Sequence, residues 1–296
     1  MKQPIIGFIG FGEAAFGITK GLKESGLKEV NFYDIFWDKE PYGELIQKRS
    51  AESGAILQKS VEDLLKVSEV IISCVTANVA VKVAESVLPF INTKHLYVDV
   101  NAASPMVKEK VSELIQSKGI DFVDAAMMGP IPVYLHRVPI LASGRGANRF
   151  KELMEPFGMN ITCIGDKPGK ASAIKMFRSI FMKGYVALLL ETLHACYKYD
   201  ALNLVLDSIG ETMEKNSFIE NVRLLVTRGV IHAERRAHEM EEVIKTLKDI
   251  GVASTMSEAT LEKLRWCSNM GLKEYFAGEA PKSIEEVVRA IEEKSR

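Results

Sequence analysis

The chain has 296 residues, of which 47% are apolar and 26% charged, with 38 Lys plus Arg against 39 Asp plus Glu. That balance belongs to an ordinary soluble globular protein with room for two domains, and it excludes disorder as the main theme. A formal net charge of −1 gives no whole-chain field to hold a polyanion, so nucleic acid is not an expected partner. From the N-terminus, strands are expected at 5–9, 30–33, 70–74, 96–100, 122–126, 138–143 and 160–164. Helix-period apolar residues fall between them at 14–25, 42–53, 61–65, 77–88, 105–118 and 149–155. Such alternation predicts β-α-β units and a parallel sheet covered on both faces.

The pattern changes at Gly165-Asp166-Lys167-Pro168-Gly169, a turn-rich segment that closes the strand series, and the domain boundary is placed there, between 166 and 167. From Lys170 to about Asp200 the chain has no proline and only Gly184 as a weak point, which predicts one helix of roughly 30 residues. Its apolar residues, among them Ile174, Phe177, Ile180, Leu188 and Leu190, occupy most faces, so the helix must be buried on several sides, by its own domain and by a second subunit in a homodimer. Residues 202–296 read as further helices, and the fold class is α/β: a doubly wound sheet followed by an all-α domain.

The four cysteines, Cys74, Cys163, Cys196 and Cys267, are scattered without a C-x-x-C pair, which argues against both a disulfide framework and a thiolate zinc site. We read them as reduced thiols of a cytoplasmic protein. The first residues do not resemble a targeting segment, and the most apolar later stretch, 185–190, is far short of the ~20 residues a membrane span needs.

Directly after the first strand stands Gly10-Phe11-Gly12-Glu13-Ala14-Ala15, a G-x-G-x-x-A turn opening a helix. Gly10 permits the tight turn, Gly12 lets backbone approach a pyrophosphate, and Ala15 keeps helix and strand close, as in Rossmann-type dinucleotide sites. Asp34 ends the second strand near the ~20-residue separation at which an acid accepts from a ribose 2′-hydroxyl. An acid there repels a 2′-phosphate, so NAD is favoured over NADP, although Asp34 also suits a residue that caps a turn after the strand. The expected cofactor set is Gly10, Phe11, Gly12, Glu13, Ala14, Asp34 and Thr76. Residues 1–166 form the dinucleotide-binding unit and 167–296 the helical substrate and dimerisation unit.

Further stretches read Asp99-Val100-Asn101-Ala102-Ala103-Ser104-Pro105, Asp124-Ala125-Ala126-Met127-Met128-Gly129-Pro130, Ala171-Ser172-Ala173-Ile174-Lys175-Met176-Phe177-Arg178-Ser179 and Lys248-Asp249-Ile250-Gly251-Val252. With the glycine loop, they resemble the β-hydroxyacid dehydrogenases, the group that includes 3-hydroxyisobutyrate and 6-phosphogluconate dehydrogenases, over essentially the whole chain. The resemblance implies a hydride transfer between a nicotinamide cofactor and a 3-hydroxy acid or its carbonyl. It also implies Lys175 as general acid/base and adds Lys248 to the cofactor set. Departures mark a divergent branch: Met128 stands where the family has a serine, Pro130 where it has a second glycine, and Ser179 where it has an asparagine. The substrate's identity therefore does not carry over.

Oxidising a secondary alcohol needs a group that takes the hydroxyl proton and returns it in reduction. The ordinary lysine pKa of about 10.4 is too high for this, so burial or neighbouring cations such as Arg178 and Lys170 must depress that of Lys175. Ser179, one turn on, would hold the amine, while Asn101, Met128 and Gly129 would face substrate. Ser104-Pro105 reads as an N-cap with proline at the first helical position. Glu191-x-x-His194 and the His232–Glu239 cluster resemble half a metal site, but no second Glu-x-x-His accompanies them and no metal is expected. Arg235-Arg236 and the acidic run after them read as a salt-bridged helical face. Two other functions compete, an imine reductase and a non-catalytic dinucleotide sensor, and Lys175 weighs against both.

Overall fold

The computed structural model describes residues 3–295. They fall into two compact units that divide at 180/181. In the first unit, eight strands form one sheet in the order β3-β2-β1-β4-β5-β6-β7-β8. These are β1 (Ile6–Ile9), β2 (Val30–Tyr33), β3 (Ile56–Leu57), β4 (Val70–Ser73), β5 (Leu96–Asp99), β6 (Asp121–Met127), β7 (Ile140–Ser143) and β8 (Ile161–Cys163). The helices of this unit are α1 (Glu13–Glu24), α2 (Gly43–Ser53), α3 (Val61–Val67), α4 (Ala80–Val87), α5 (Pro105–Gln116), α6 (Ile131–Tyr134), α7 (Ala147–Met154) and the start of α8 (Lys170–Lys198). The strand order reverses at β1, the topology of a doubly wound Rossmann-type sheet.

Two departures from the expected pattern have simple causes. β3 has two residues, too short for any periodicity to register. β7 runs antiparallel to β6, whereas every other pair is parallel. A parallel crossover usually needs a helix of several turns, and the link over 128–139 holds only α6, one turn long, and a 3₁₀ turn.

Strand alternation divides the core into two layers. Phe8, Val98 and Val123 pack with Ile18 and Leu22 of α1 and Phe150 of α7, while Ile9, Tyr97 and Phe122 pack with Leu64, Val87, Val111 and Ile115 on the opposite face. Local caps set the helix starts. Ser60 accepts the Asp63 N–H at 3.0 Å, and Ser104, followed by Pro105, accepts the Val107 N–H at 3.4 Å, as the sequence anticipates.

α8 runs for 29 residues, close to the expected length. Its apolar side chains are not buried within the chain as expected: Phe177 is 67% exposed and Ile180 74%. The second unit holds the rest of α8 and α9 (Leu202–Glu214), α10 (Phe218–Ile231), α11 (Ala233–Asp249), α12 (Thr255–Asn269), α13 (Leu272–Tyr275) and α14 (Ile284–Lys294), with no strand among its described residues. Val230, Ile231, Leu272, Val287 and Ala290 form its small core. Arg235 pairs with Glu239 on an exposed face of α11.

Candidate active site

The glycine loop lies where β1 meets α1. Gly10 has φ +89°, and a Cβ there would stand 2.4 Å from Cys74 O, so only glycine fits the turn. Its N–H donates to Tyr33 O at 2.8 Å, which ties the loop to β2. At Gly12 an added Cβ would meet nothing within 4 Å, an open cradle before the first turn of α1. The first N–H groups of a helix lack intrahelical acceptors, and a helix start of this kind suits an anion. Glu13 is exposed and Ala14 half-buried on that turn.

Phe11, a residue of the expected cofactor set, contributes to the loop through its backbone. Its ring is buried and stacks on Phe32 at 4.0 Å, so only its backbone faces the loop. The Phe11 N–H donates to Asp34 Oδ2 at 2.8 Å, and the Phe36 N–H to Asp34 Oδ1 at 2.9 Å. Asp34 is thus both an anchor of the glycine loop and the cap of the turn after β2. Each carboxylate oxygen keeps a further acceptor site. Thr76, exposed after β4, donates to Asn78 Oδ1 at 2.6 Å. Behind the loop, burial pushes the Cys74 thiol up to about 12, which keeps it protonated and unreactive.

Strand register lines up a polar row at the carboxyl edge. Ser73 of β4 stands beside Asp99 of β5, Asp99 beside Asp124 of β6, and Asp124 beside Ser143 of β7. All four are fully buried. Lys108 of α5 reaches into this row, its Nζ 2.7 Å from Asp99 Oδ1 and 3.4 Å from Asp124 Oδ1. Asn101 is knit in as well: its Oδ1 accepts the Val75 N–H at 2.6 Å, its Nδ2 donates to Ser73 Oγ at 3.0 Å, and its own N–H donates to Asp99 Oδ1 at 2.8 Å. The amide joins the loops after β4 and β5, leaving one Nδ2 proton for anything else.

The start of α8 is fastened to the same row. Asp124 accepts the Ser172 N–H at 2.9 Å and Ser172 Oγ at 2.7 Å, and Ser143 Oγ accepts the Ala171 N–H at 3.1 Å. Gly169, at φ +83°, lets this turn approach Pro105, whose oxygen would lie 2.9 Å from an added Cβ. Lys175, three residues after Ser172, shares its helix face, and Ser179 continues that face; both are half-buried. Around Lys175, Ile174 is half-buried, whereas Met176, Phe177, Arg178 and Lys170 are exposed. Met128 and Gly129 follow β6, with Gly129 tucked under the Tyr134 ring.

Lys248 belongs to the helical unit, where its ammonium pairs with Glu258 at 3.2 Å. Glu191 is engaged there too: its carboxylate accepts the N–H groups of Met256 and Ser257 at 2.8 and 2.9 Å and the Ser257 hydroxyl at 2.6 Å, capping α12. His194 is exposed.

Of the buried row, Asp99, Asp124 and Ser172 stand in stretches that carry the family resemblance but have no role assigned to them in the sequence, and Lys108 stands in none. A signal for it existed. Lys108 sits on the α5 stripe shared by Val111, Ser112 and Ile115, an apolar-face position for a charge. Asp99 and Asp124 each follow an apolar strand run at an inward position.

A family model described as the NAD binding domain of 6-phosphogluconate dehydrogenase matches residues 5–165, and a domain of unknown function, DUF1932, matches 197–267. An uncharacterized 28.5 kDa protein of Methanothermus fervidus is 32% identical over 86% of this chain and 95% of its own. The conserved protein MTH1747, whose structure is described as similar to 3-hydroxyacid dehydrogenases, is 33% identical over 93% of this chain and 99% of its own, with a TM-score of 0.60. An imine reductase of Myxococcus stipitatus shares the fold at TM-score 0.75 and 18% identity, covering 98% of this chain and 100% of its own.

Proposed function

This chain belongs to the family defined by the NAD-binding domain of 6-phosphogluconate dehydrogenase, and from that premise we propose that it is an NAD-dependent oxidoreductase interconverting a 3-hydroxy acid and its carbonyl, with Lys175 as general acid/base. One observation carries the reading beyond the family. The Ser172 bonds to Asp124 fix the first turn of α8 on the polar row, and Lys175, one turn on along the same helix face, is thereby supported as a residue of the carboxyl edge, where ligands bind in open α/β sheets.

The tight turn at Gly10, with the Gly10 and Phe11 N–H groups held by Tyr33 O and Asp34, and the open cradle at Gly12 fit a pyrophosphate received by the backbone N–H groups of residues 12–14. The free acceptor sites of Asp34 suit ribose hydroxyls and disfavour a 2′-phosphate, which supports NAD over NADP. When bound, the nicotinamide supplies or accepts hydride. Lys175 takes the proton from the substrate hydroxyl and returns it in the reverse direction, and Ser179 holds the amine. The remaining Nδ2 proton of Asn101 and the wall of Met128 and Gly129 orient the substrate. Lys248 stands as a cofactor residue on the family resemblance alone.

The test is oxidation of a panel of 3-hydroxy acids, beginning with 3-hydroxyisobutyrate, followed by the appearance of NADH. Turnover of a cyclic imine with NADPH, and of no hydroxy acid, would replace this reading with an imine reductase. We read the chain as a homodimer as well. Exposed Ile180, Leu204 and Ile219, at 74%, 75% and 70%, support a second copy of the chain as their cover.

A further inference from the structure

The reaction as assigned leaves one charged cluster without a task. Lys108 is fully buried, and besides Asp99 Oδ1 it donates to the Asp99 backbone oxygen at 2.8 Å. Burying an ammonium between two carboxylates is expensive, and apolar residues of similar volume often fill such a space at no loss of stability. The cluster is therefore poorly explained as a source of stability. Its geometry offers another account, because its two acids hold different parts of the site. Asp99 Oδ1 accepts the Asn101 N–H, and Asn101 accepts the N–H of Val75, so this branch leads to the loops after β4 and β5. Asp124 accepts both bonds from Ser172, so this branch leads to the first turn of α8. A single ammonium spans the two. Asp124 also places an anion at a helix start, where the dipole favours it.

We propose that Lys108 and Asp124 are positioning residues that hold the Lys175 face of α8 in register with the Asn101 loop, with Ser172 as the link. The inference rests on Lys175 being the acid/base. Reacting groups must be held to within a fraction of an ångström, and a shift of about 1 Å can cost on the order of 10²-fold in rate. A cation buried between two strand-borne acids can be satisfied in one arrangement only, whereas an apolar plug would tolerate sliding.

Lys108→Met risks unfolding, so the test uses Ser172→Ala and Asp124→Asn in the full-length protein, with NAD and 3-hydroxyisobutyrate as probes. Ser172→Ala should lower kcat about tenfold, with KM and NADH affinity within about twofold, and should cost nothing further in a Lys175→Ala background, because the link acts through the lysine. Asp124→Asn should speed amide exchange in the first turn of α8 while leaving β1 and β4 protected. Unchanged exchange in that turn, or a Ser172→Ala kcat within about twofold of wild type, overturns the proposal. A Ser172→Ala loss that adds in full to Lys175→Ala overturns the positioning alone. Lys175→Ala enzyme that keeps more than about a tenth of its turnover overturns the lysine reading instead.

Discussion

Asp34 Oδ2 accepts the Phe11 N–H at 2.8 Å, so the acid expected to choose the cofactor also shapes the glycine loop. The two roles separate by substitution. Asp34→Asn keeps one oxygen for the backbone but loses the charge, and it should relieve the repulsion of NADP. Asp34→Ala removes the anchor too and should weaken both cofactors, NAD by about tenfold or more, roughly 1.4 kcal/mol. Cofactor titration by fluorescence at fixed salt decides. Wild-type protein that binds NADP more tightly than NAD contradicts the assignment.

The sheet is legible in the sequence because its strands are continuous apolar runs with β-branched residues, and the glycine loop because its spacing has a steric cause in Gly10. β3 and the reversed β7 are not, since a two-residue strand carries no period and strand direction is set by what the link can span. The site is legible only in part. A motif marks residues that would meet ligands, whereas Lys108, Asp124 and Ser172 meet one another, and such a network emerges only when strand register brings the acids side by side. The exposure of the α8 side chains is hidden for a related reason: apolar character on every face says that a helix is covered, not by which chain.

Lys175→Ala should leave NAD affinity near wild type, because the glycine loop is untouched, while turnover falls by roughly 10²–10⁴-fold. Lys175→Arg should not restore it, since a guanidinium stays protonated at working pH and its planar fork needs different room. Steady-state kinetics with separate cofactor titration distinguish this from a binding defect.

Light scattering at micromolar concentration should report a dimer. Ile180→Glu or Leu204→Glu, at side chains exposed in the single chain, would place a charge in the proposed interface and should shift the mass toward the monomer. A monomeric wild-type mass would leave these apolar side chains uncovered and refute the homodimer.

Glu191 provides a stability test confined to the helical unit. Burial pushes its carboxyl up, but the bonds from Ser257 Oγ and the Met256 and Ser257 N–H groups together outweigh that and hold it below the usual carboxylate range. A carboxyl depressed on folding stabilises the fold above its unfolded pKa and loses that contribution as pH falls through the folded value. Glu191→Ala should therefore cost about 1–2 kcal/mol at neutral pH, as for loss of a helix cap, and the difference from wild type should shrink on acidification. Urea unfolding at a series of pH values gives the comparison, and a gap that widens toward acid would exclude the cap.

The Lys108 cluster should respond to pH in the opposite sense. Burial holds the Asp99 carboxyl above its ordinary range even though Lys108 pulls it down. Lys108→Met removes that pull and leaves two buried acids side by side, so the Asp99 carboxyl rises further. A carboxyl raised on folding stabilises the fold below its unfolded pKa, and this contribution is lost as pH climbs through the folded value. The variant should therefore be about 3–5 kcal/mol less stable than wild type at neutral pH, the usual cost of stranding a buried charge, and should recover on mild acidification. Adding Asp99→Asn removes one of the stranded charges, so it should restore part of the loss and flatten the pH dependence. Equal urea midpoints for wild type and Lys108→Met at neutral pH would mean that the three groups are not an ion cluster, because no other buried cation among the described residues stands against Asp99.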